Sequence, residues 1–294
     1  MRDANKGKFT AQIAAFARAL GNREPDPKVR NPDYLAQRML PAFCQVAFLP
    51  IFRGLSRTLY DAGAKGMYCF HQVRTRYVDD VVRAELELGI EQFVILGAGL
   101  DTRAYRFSEE LRGRTVFEVD HPATQRWKLA RIGGVLGELD VRFVGVNFET
   151  DNVAECLARA GFEPGKRALF LWEGVSMYLT EEAIAQTLAF MSQAAPGSSV
   201  LFDYIYGDIL QGRGEYYGAR ESLRSARRLG EPYIFGLDPK SAGEFLSAKG
   251  YELVSDVDVG ELAGRYLTRS DGRLLGQTAA YARVAHARVR PREQ

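Results

Sequence analysis

Short apolar runs alternate with amphipathic segments from residue 92 onward, and this order limits the chain to few folds. The runs are rich in Val, Ile, Leu and Phe, as is typical of strands buried on both faces, and the segments between them carry apolar residues at helical spacing. Repeated strand–helix–strand units with right-handed crossovers predict an α/β fold with a doubly wound, mainly parallel seven-stranded sheet covered by helices. The predicted strands are 92–96, 115–119, 141–146, 167–172, 198–205, 251–257 and 277–286.

Composition excludes several other classes of protein. The 294 residues are 46% hydrophobic and 26% charged, which is typical of a globular protein with one large domain or two small ones. Cys44, Cys69 and Cys156 are widely spaced, so no disulfide framework or metal site is expected. A formal charge of +2 gives no reason to expect a nucleic acid partner. No signal peptide or membrane-spanning run is visible, so we predict a cytoplasmic protein without a membrane partner.

Two regions lie outside the strand–helix alternation. Residues 1–90 form a predicted helical N-terminal cap punctuated by prolines, and residues 91–294 form the α/β domain. Residues 206–237 form a long insertion in that domain, rich in Gly, Tyr and Arg. Long connections on compact α/β domains often cover binding sites, so we expect the substrate pocket between these two regions.

The first strand ends in a glycine-rich loop, at Gly97, Ala98 and Gly99. Gly-x-Gly lets the backbone turn tightly and lets a nucleoside ligand approach the main chain. The second strand ends at Glu118-Val119-Asp120, which puts an acid about 20 residues beyond the loop, where a carboxylate accepts hydrogen bonds from ribose hydroxyls. Thr102 stands where a dinucleotide fingerprint has glycine or alanine, which weakens a nicotinamide interpretation. Loop and acid together indicate an adenosine ligand.

Five blocks in order along the chain resemble the leucine carboxyl methyltransferase family, within the class I S-adenosylmethionine-dependent methyltransferases and including bacterial relatives of polyketide O-methyltransferases. The ordered combination discriminates far better than any single block. The blocks are RTRYVDD (74–80), VILGAGLDTRAYRF (94–107), VFEVDHP (116–122), WEGVSMYLT (172–180) and GEPYIFGLDP (230–239). The resemblance implies that S-adenosylmethionine is the cofactor.

The resemblance also implies roles for individual residues around that cofactor. Arg76 would approach the methionine carboxylate, with Arg74 as the competing register. Residues 97–99 would lie near the methionyl and ribose groups. Asp120 would bind the ribose hydroxyls, with Glu118 a weaker candidate.

Two further positions of the family pattern follow the third and fourth strands. Asn147 and Phe148 stand where the family has an Asp and an apolar residue near the adenine, so the pattern departs there and Asp151 is a displaced candidate acid. Glu173 matches the family's acid at the end of the fourth strand, on the cofactor side.

The proposed chemistry requires little beyond alignment of nucleophile, methyl carbon and sulfur. A carboxylate acceptor is ionised near neutral pH and requires no general base, whereas a phenol with a pKa near 10 does. His71 is the candidate base, and Tyr204 and Tyr206 are candidate residues of the acceptor site. Arginine and aromatic residues in the insertion and the N-terminal region indicate an aromatic or polyketide-like acid.

Several alternatives remain open at this stage. A phenol or hydroxyl group, or a protein C-terminal carboxylate, could be the acceptor in place of a small-molecule acid. An NAD-dependent oxidoreductase and a cofactor-binding protein without activity belong to other classes. The sequence leaves the identity of the acceptor and the oligomeric state open, because fold kinship does not transfer substrate identity.

Overall fold

A seven-stranded sheet forms the centre of the computed structural model, which describes residues 3–132, 134–135, 139–148 and 150–291. Its strands are β1 Gln92–Leu96, β2 Thr115–Asp120, β3 Asp140–Gly145, β4 Ala168–Trp172, β5 Ser199–Ile205, β6 Tyr251–Asp258 and β7 Ala282–Val289. They lie in the order β3-β2-β1-β4-β5-β7-β6, and β7 runs antiparallel to both β5 and β6. The predicted doubly wound, mainly parallel α/β fold is confirmed.

Helices cover both faces of this sheet and occupy much of the chain before β1. The α-helices are α1 Asp3–Asn22, α2 Pro50–Gly63, α3 Met67–Glu87, α4 Arg103–Arg106, α5 Pro122–Ile132, α6 Val153–Arg159, α7 Glu181–Met191, α8 Gly207–Leu210, α9 Ala219–Leu229, α10 Ala242–Ser247 and α11 Ala263–Tyr266. Short 3-10 helices lie at Pro27–Val29, Ala36–Met39, Ala42–Phe48, Ser176–Tyr178 and Pro239–Ser241. No described helix is both long enough and apolar enough to cross a bilayer.

The central strands are apolar throughout because both of their faces are covered. Every residue of β1, β4 and β5 is buried. Successive side chains alternate between the faces, so Phe93 and Ile95 join one core cluster, which includes residues of α1 and α3, while Val94 and Leu96 join the other. This two-sided burial explains the unbroken apolar runs in the sequence.

The first six predicted strands are confirmed to within one residue at each end, but the seventh is wrong at both ends, since β7 starts five residues later and ends three residues later than predicted. Residues 277–281 were expected to pair in the sheet. Instead, the backbone N–H of Ala279 donates to the carbonyl of Gly66 at 3.1 Å, and that of Ala280 donates to the carbonyl of Tyr217 at 3.1 Å. Their donors are therefore bonded outside the sheet, and β7 begins at Ala282.

A cap lies over the carboxyl ends of the parallel strands. From here on, this name denotes α1, α2 and residues 207–237, each of which contributes side chains that face the loops at that edge of the sheet. α2 packs against α1, α3 and α9. The hydroxyl of Thr10 in α1 donates a short hydrogen bond to the Glu231 carboxylate, which connects two parts of the cap that are distant in sequence. The cap thus closes the space above the strand ends.

Candidate active site

A cavity of about 1170 Å³ lies between the carboxyl ends of the strands and the cap. Residues 97–101, Asp120, residues 146–148 and residues 173–175 line its sheet side. Side chains of α1, α2 and α9 and residues 230–234 line the opposite side, and α3 adds Phe70, His71 and Arg74 to the wall. Ligands of open parallel sheets bind at this edge. The residues opposite the sheet come mainly from the two regions between which the sequence predicts the substrate pocket.

The glycine loop after β1 turns back along the end of β2. Gly97 and Gly99 have φ values of 65° and 44°, a region that side chains other than glycine rarely adopt. A Cβ on Gly97 would lie 2.5 Å from a methyl carbon of Val175. The N–H of Ala98 donates to the carbonyl of Val119 at 3.0 Å. The first glycine is therefore required by the turn and by the neighbouring Val175 side chain.

Asp120 lies at the end of β2 in the cavity wall, beside this loop. Its two carboxylate oxygens accept the backbone N–H groups of Gly99 and His121, each at 2.6 Å. Burial raises the pKa of Asp120 above its ordinary value, and the two N–H donors oppose that rise. Since a carboxylate oxygen can accept more than one hydrogen bond, Asp120 remains able to bind ligand hydroxyls.

Glu118 lies below the cavity rather than in its wall. Its side chain is fully buried, and the Lys128 ammonium lies 2.8 Å from one of its oxygens. Burial raises the pKa of Glu118, and the charge of Lys128 opposes the rise. This acid therefore connects β2 to α5 through Lys128, and it does not line the cavity.

Arg74 and Glu173 form an ion pair in the cavity wall, with 3.1 Å between guanidinium nitrogen and carboxylate oxygen. Arg74 also donates to Asp203 of β5. Arg103 approaches the other oxygen of Glu173 at 2.9 Å and pairs with Asp101. The attraction of Arg103 and Arg74 lowers the pKa of Glu173 although burial acts in the opposite direction. Glu173 is therefore an ionised acid held between two cations.

Of the two arginine registers, the structure brings Arg74 to the cavity and leaves Arg76 outside it. The guanidinium of Arg76 donates to the carbonyls of Lys28 and Tyr266, at 2.7 and 2.9 Å. The two arginines are two positions apart on α3, about 200° around the helix axis, so they point to different surroundings. The preference for Arg76 is therefore corrected to Arg74.

Asn147 and Phe148 line the cavity beyond β3, on the side near Asp120. Asp151 is exposed and does not line the cavity, and its carboxylate accepts the backbone N–H of Asn147 at 2.8 Å. The Asp151 carboxylate therefore holds the backbone at Asn147. Asn147 and Phe148 line the cavity, and their contact with the adenine stays a prediction.

His71 is buried in the cavity wall, and its Nδ1 lies 3.3 Å from a guanidinium nitrogen of Arg74. Burial lowers the pKa of His71 well below 6.5, and the positive charges of Arg74 and Arg18 lower it further. The imidazole is therefore neutral at physiological pH.

Tyr204 and Tyr206 were expected at the acceptor site, and both lie outside the cavity wall. The Tyr204 side chain belongs to the core cluster on the other face of the sheet, and its hydroxyl donates to Asp256 at 2.8 Å. The Tyr206 hydroxyl donates to Asp258, and its ring contacts that of Tyr216. Both hydroxyls are thus bonded to acids of β6, so these two candidates are corrected.

Sequence reasoning missed several residues that line the cavity. Asp101 lies in the block 94–107 but was assigned no role, and no pattern in the sequence indicates that Arg18 lies at a binding site. The missed aromatic residues are phenols from separate segments, and strand or helix patterns predict none of them to be neighbours. They are Tyr60, Tyr178, Tyr233 and Tyr281. Among the described residues, no cluster of three or more His, Cys, Asp or Glu side chains has an arrangement that could hold a metal ion.

Comparison with known proteins adds independent findings. The family model described as "Leucine carboxyl methyltransferase" matches residues 11–192. A Bacillus subtilis (strain 168) protein named "Putative S-adenosyl-L-methionine-dependent methyltransferase YktD" is 30% identical over 285 residues, covering 88% of this chain and 91% of its own. A protein of Mycolicibacterium vanbaalenii named "Putative S-adenosyl-L-methionine-dependent methyltransferase" is 33% identical over 277 residues, covering 87% of each.

A solved structure with the same fold is that of a "putative methyltransferase" from Thermobifida fusca YX. It superimposes with a TM-score of 0.61 at 16% identity, covering 93% of this chain and 98% of that one. At this identity the likeness concerns the fold, which is the α/β architecture described above.

Proposed function

Because the chain belongs to the leucine carboxyl methyltransferase family and is an S-adenosylmethionine-dependent methyltransferase, we propose that it methylates a carboxylate on a small-molecule acid with an apolar or aromatic body. The observation that carries this proposal is the match to the leucine carboxyl methyltransferase family, and the neutral, weakly basic His71 in the cavity wall agrees with it. A carboxylate needs no proton removed before transfer, and His71 is poorly suited to removing one. Family membership also favours methyl transfer over the nicotinamide alternative.

The cavity wall fits S-adenosylmethionine on its sheet side. Asp120, already fixed by two backbone donors, would bind the ribose hydroxyls. Asn147 and Phe148 would contact the adenine by hydrogen bonding and stacking. Arg74 would face the methionine carboxylate, and Glu173, ionised beside it, would attract the ammonium group.

When bound, the cofactor supplies an electrophilic methyl group on a sulfonium. The protein then has to hold an acceptor in line with that methyl group and to exclude water. Correct alignment alone can lower the barrier by about 7–11 kcal/mol. Enclosure by the cap supports both tasks, since its residues line the cavity opposite the cofactor side.

The charge state of His71 distinguishes the acceptor classes. A carboxylic acid is ionised near pH 7, whereas a phenol has a pKa of about 10. Proton transfer from such a phenol to a histidine whose pKa is lowered below its ordinary value is uphill. This difference favours a carboxylate over a phenol.

A cluster of phenols supports the binding of an anionic acceptor. The rings of Tyr178 and Tyr233 lie 5.4 Å apart between centroids, and Tyr281 lines the same cavity. Burial raises the pKa values of all three, so their hydroxyls stay protonated. Protonated phenols can donate hydrogen bonds to a carboxylate without cancelling its charge, and Phe70 provides apolar contact nearby.

A transfer assay with methyl-labelled cofactor tests the proposal. Apolar and aromatic carboxylic acids, matched phenols and C-terminal peptides would be compared, and the label would be treated with mild base. We expect labelled product from the acids, released by base as expected of a methyl ester. Exclusive formation of a base-stable product from the phenols would contradict the proposal.

A phenolic acceptor is the second candidate, because His71 is a proton-accepting side chain in the cavity wall even though its basicity is weakened. The His71→Gln variant separates the two. Methylation of an acid should persist in this variant, whereas methylation of a phenol through His71 should be lost. The peptides in the panel test the third acceptor class, a protein C-terminal carboxylate.

A further inference from the structure

Helix α2 carries its apolar residues on the outside of the protein. Ile51, Leu55 and Leu59, spaced four apart and therefore on one stripe, are 81%, 57% and 65% exposed. Arg53 and Arg57 lie on the half-buried side of the same helix. A surface helix of a globular protein has the opposite arrangement, with its apolar stripe toward the core.

Hydrogen bonds fix this orientation of α2. Arg57 donates to the carbonyl of Leu275 at 2.7 Å, and Arg53 donates to the carbonyl of Arg23 at 2.8 Å. On the same inward side, Tyr60 lines the cavity. The helix is therefore held with its apolar stripe toward the outside.

The exposed apolar surface extends into the segment before α2. Phe43 is 80% exposed, and further large apolar side chains lie exposed between it and Leu59. We call this set the apolar patch, and its members are Phe43, Val46, Leu49, Ile51, Phe52, Leu55 and Leu59. Grouped apolar exposure of this kind is typical of a binding surface, whereas single exposed apolar residues are ordinary.

Helix α9 packs beside α2 and adds positive charge to the outside of the cap. Its inward residues Ser222, Ser225 and Ala226 line the cavity. Its exposed residues include four arginines, which we call the arginine face: Arg220, Arg224, Arg227 and Arg228. Since α2 and α9 both turn one side toward the cavity, their opposite sides lie on the outer surface of the cap.

We propose that the outer surface of the cap docks on an anionic lipid bilayer. Helices that lie in a membrane interface combine a large apolar side chain set with arginine or lysine, and the cations attract anionic headgroups. The apolar patch and the arginine face supply these two components side by side. A two-fold dimer through the same surface would bring the arginine faces of both copies near each other, which like charge disfavours.

Docking in this orientation would place the cavity next to the bilayer, with the inward sides of the docking helices as its wall. An amphiphilic acid could then pass from the lipid surface to the cavity, a step that rests on the proposed function. The expectation of no membrane partner was based on the lack of a spanning segment, which interfacial docking does not require.

Vesicle sedimentation tests the docking independently of activity. Purified protein would be mixed with vesicles of phosphatidylglycerol and phosphatidylcholine, or of phosphatidylcholine alone. We expect sedimentation with the anionic vesicles that decreases as salt is raised, because screening weakens attraction by the arginine face. No sedimentation with anionic vesicles would overturn the proposal.

Two variants assign the binding to its two components. Ile51→Ser combined with Leu55→Ser should reduce the vesicle partition coefficient at least about tenfold, as should Arg224→Gln combined with Arg227→Gln. The matched controls are Leu88→Ser, in an exposed residue after α3, and Arg112→Gln, in an exposed ion pair. Unchanged binding in both double variants, or equal losses in the controls, would overturn the assignment.

Two further measurements distinguish lipid docking from dimer formation and from the proposed acceptor chemistry. Size measurement over a range of protein concentrations would detect a dimer, and a dimer abolished by the two serine substitutions would assign the apolar patch to a second copy and overturn lipid docking. Methyl transfer to a water-soluble acid should be retained by the same variant, because neither residue lines the cavity. Failure of the proposed acceptor chemistry would therefore leave the vesicle result intact.

Discussion

The two sides of the cavity are built by different interactions. On the sheet side, Arg74, Glu173 and Asp120 are each fixed by ion pairs or backbone hydrogen bonds. On the cap side, side chains such as Tyr60 and Tyr233 line the cavity, and the outer surfaces of α2 and α9 are apolar and cationic, respectively. Under the proposed function, the sheet side would bind the cofactor through paired charges, and the cap side would bind the acceptor through shape and neutral donors.

The largest effect on stability is expected from a substitution that breaks the ion pairs of the sheet side. Arg74→Met leaves Glu173 and Asp203 buried without this partner, so we expect the free energy of unfolding to fall by about 3–5 kcal/mol. Urea denaturation measures the change. Arg76→Met, which loses hydrogen bonds to two carbonyls at a half-buried site, should cost about 1 kcal/mol per bond or less. A smaller loss for Arg74→Met than for Arg76→Met would contradict the corrected register.

Substitutions of the two acids of β2 should affect the affinity for the cofactor differently. Asp120→Asn removes the charge proposed to accept the ribose hydroxyls, and we expect affinity for S-adenosylhomocysteine to fall about 10- to 100-fold, corresponding to about 1.5–3 kcal/mol. Glu118→Gln should leave this affinity unchanged, because Glu118 pairs with Lys128 below the cavity. Titration calorimetry measures both, and equal losses would argue against the assignment of Asp120.

The acceptor side should respond to loss of a neutral donor. Tyr233→Phe keeps the ring and removes the hydroxyl, so we expect KM for the acid to rise roughly three- to tenfold while cofactor affinity is unchanged. Tyr204→Phe is the matched control, since that hydroxyl bonds to Asp256 outside the cavity. Steady-state kinetics with both substrates varied would reveal a change in cofactor affinity, which is the result that would contradict the division into two sides.

The smallest effect concerns the neutral state of His71. Its pKa is lowered on folding, so below about pH 6.5 the unfolded chain binds a proton that the folded protein does not. Stability attributable to His71 is therefore present above pH 6.5 and is lost as the pH falls, by up to about 1.4 kcal/mol per pH unit. Unfolding measured from pH 7 to pH 5 should show a steeper loss for the parent than for His71→Gln. Parallel curves would mean that His71 retains an ordinary pKa.

Much of the sheet could be predicted because strands that are buried on both faces require apolar residues at every position, which gives unbroken apolar runs in the sequence. The positions of Asp120 and Glu173 in the cavity wall follow from the predicted strand ends, since the carboxyl ends of parallel strands lie at one edge of the sheet. The choice between Arg74 and Arg76 depends on the rotation of α3 against the sheet. A motif of alternating arginines does not contain that information.

The phenols of the cavity wall illustrate a second limit of prediction from sequence. Tyr178, Tyr233 and Tyr281 come from three separate segments, and only tertiary packing brings them together. Tyr204 lies on a strand that was predicted well, but alternation along β5 turns its side chain away from the cavity. Pattern reasoning thus located the elements more reliably than the directions of individual side chains.

The antiparallel strand β7 also has a consequence for the order of assembly. It is the last of the seven strands in sequence, yet it lies between β5 and β6 in the sheet. During synthesis, β6 emerges from the ribosome before the strand that joins it to the rest of the sheet. Tyr281 directly precedes β7 and lines the cavity. A nascent chain therefore completes its sheet and the wall of its cavity in the same late step, after six strands have already been made.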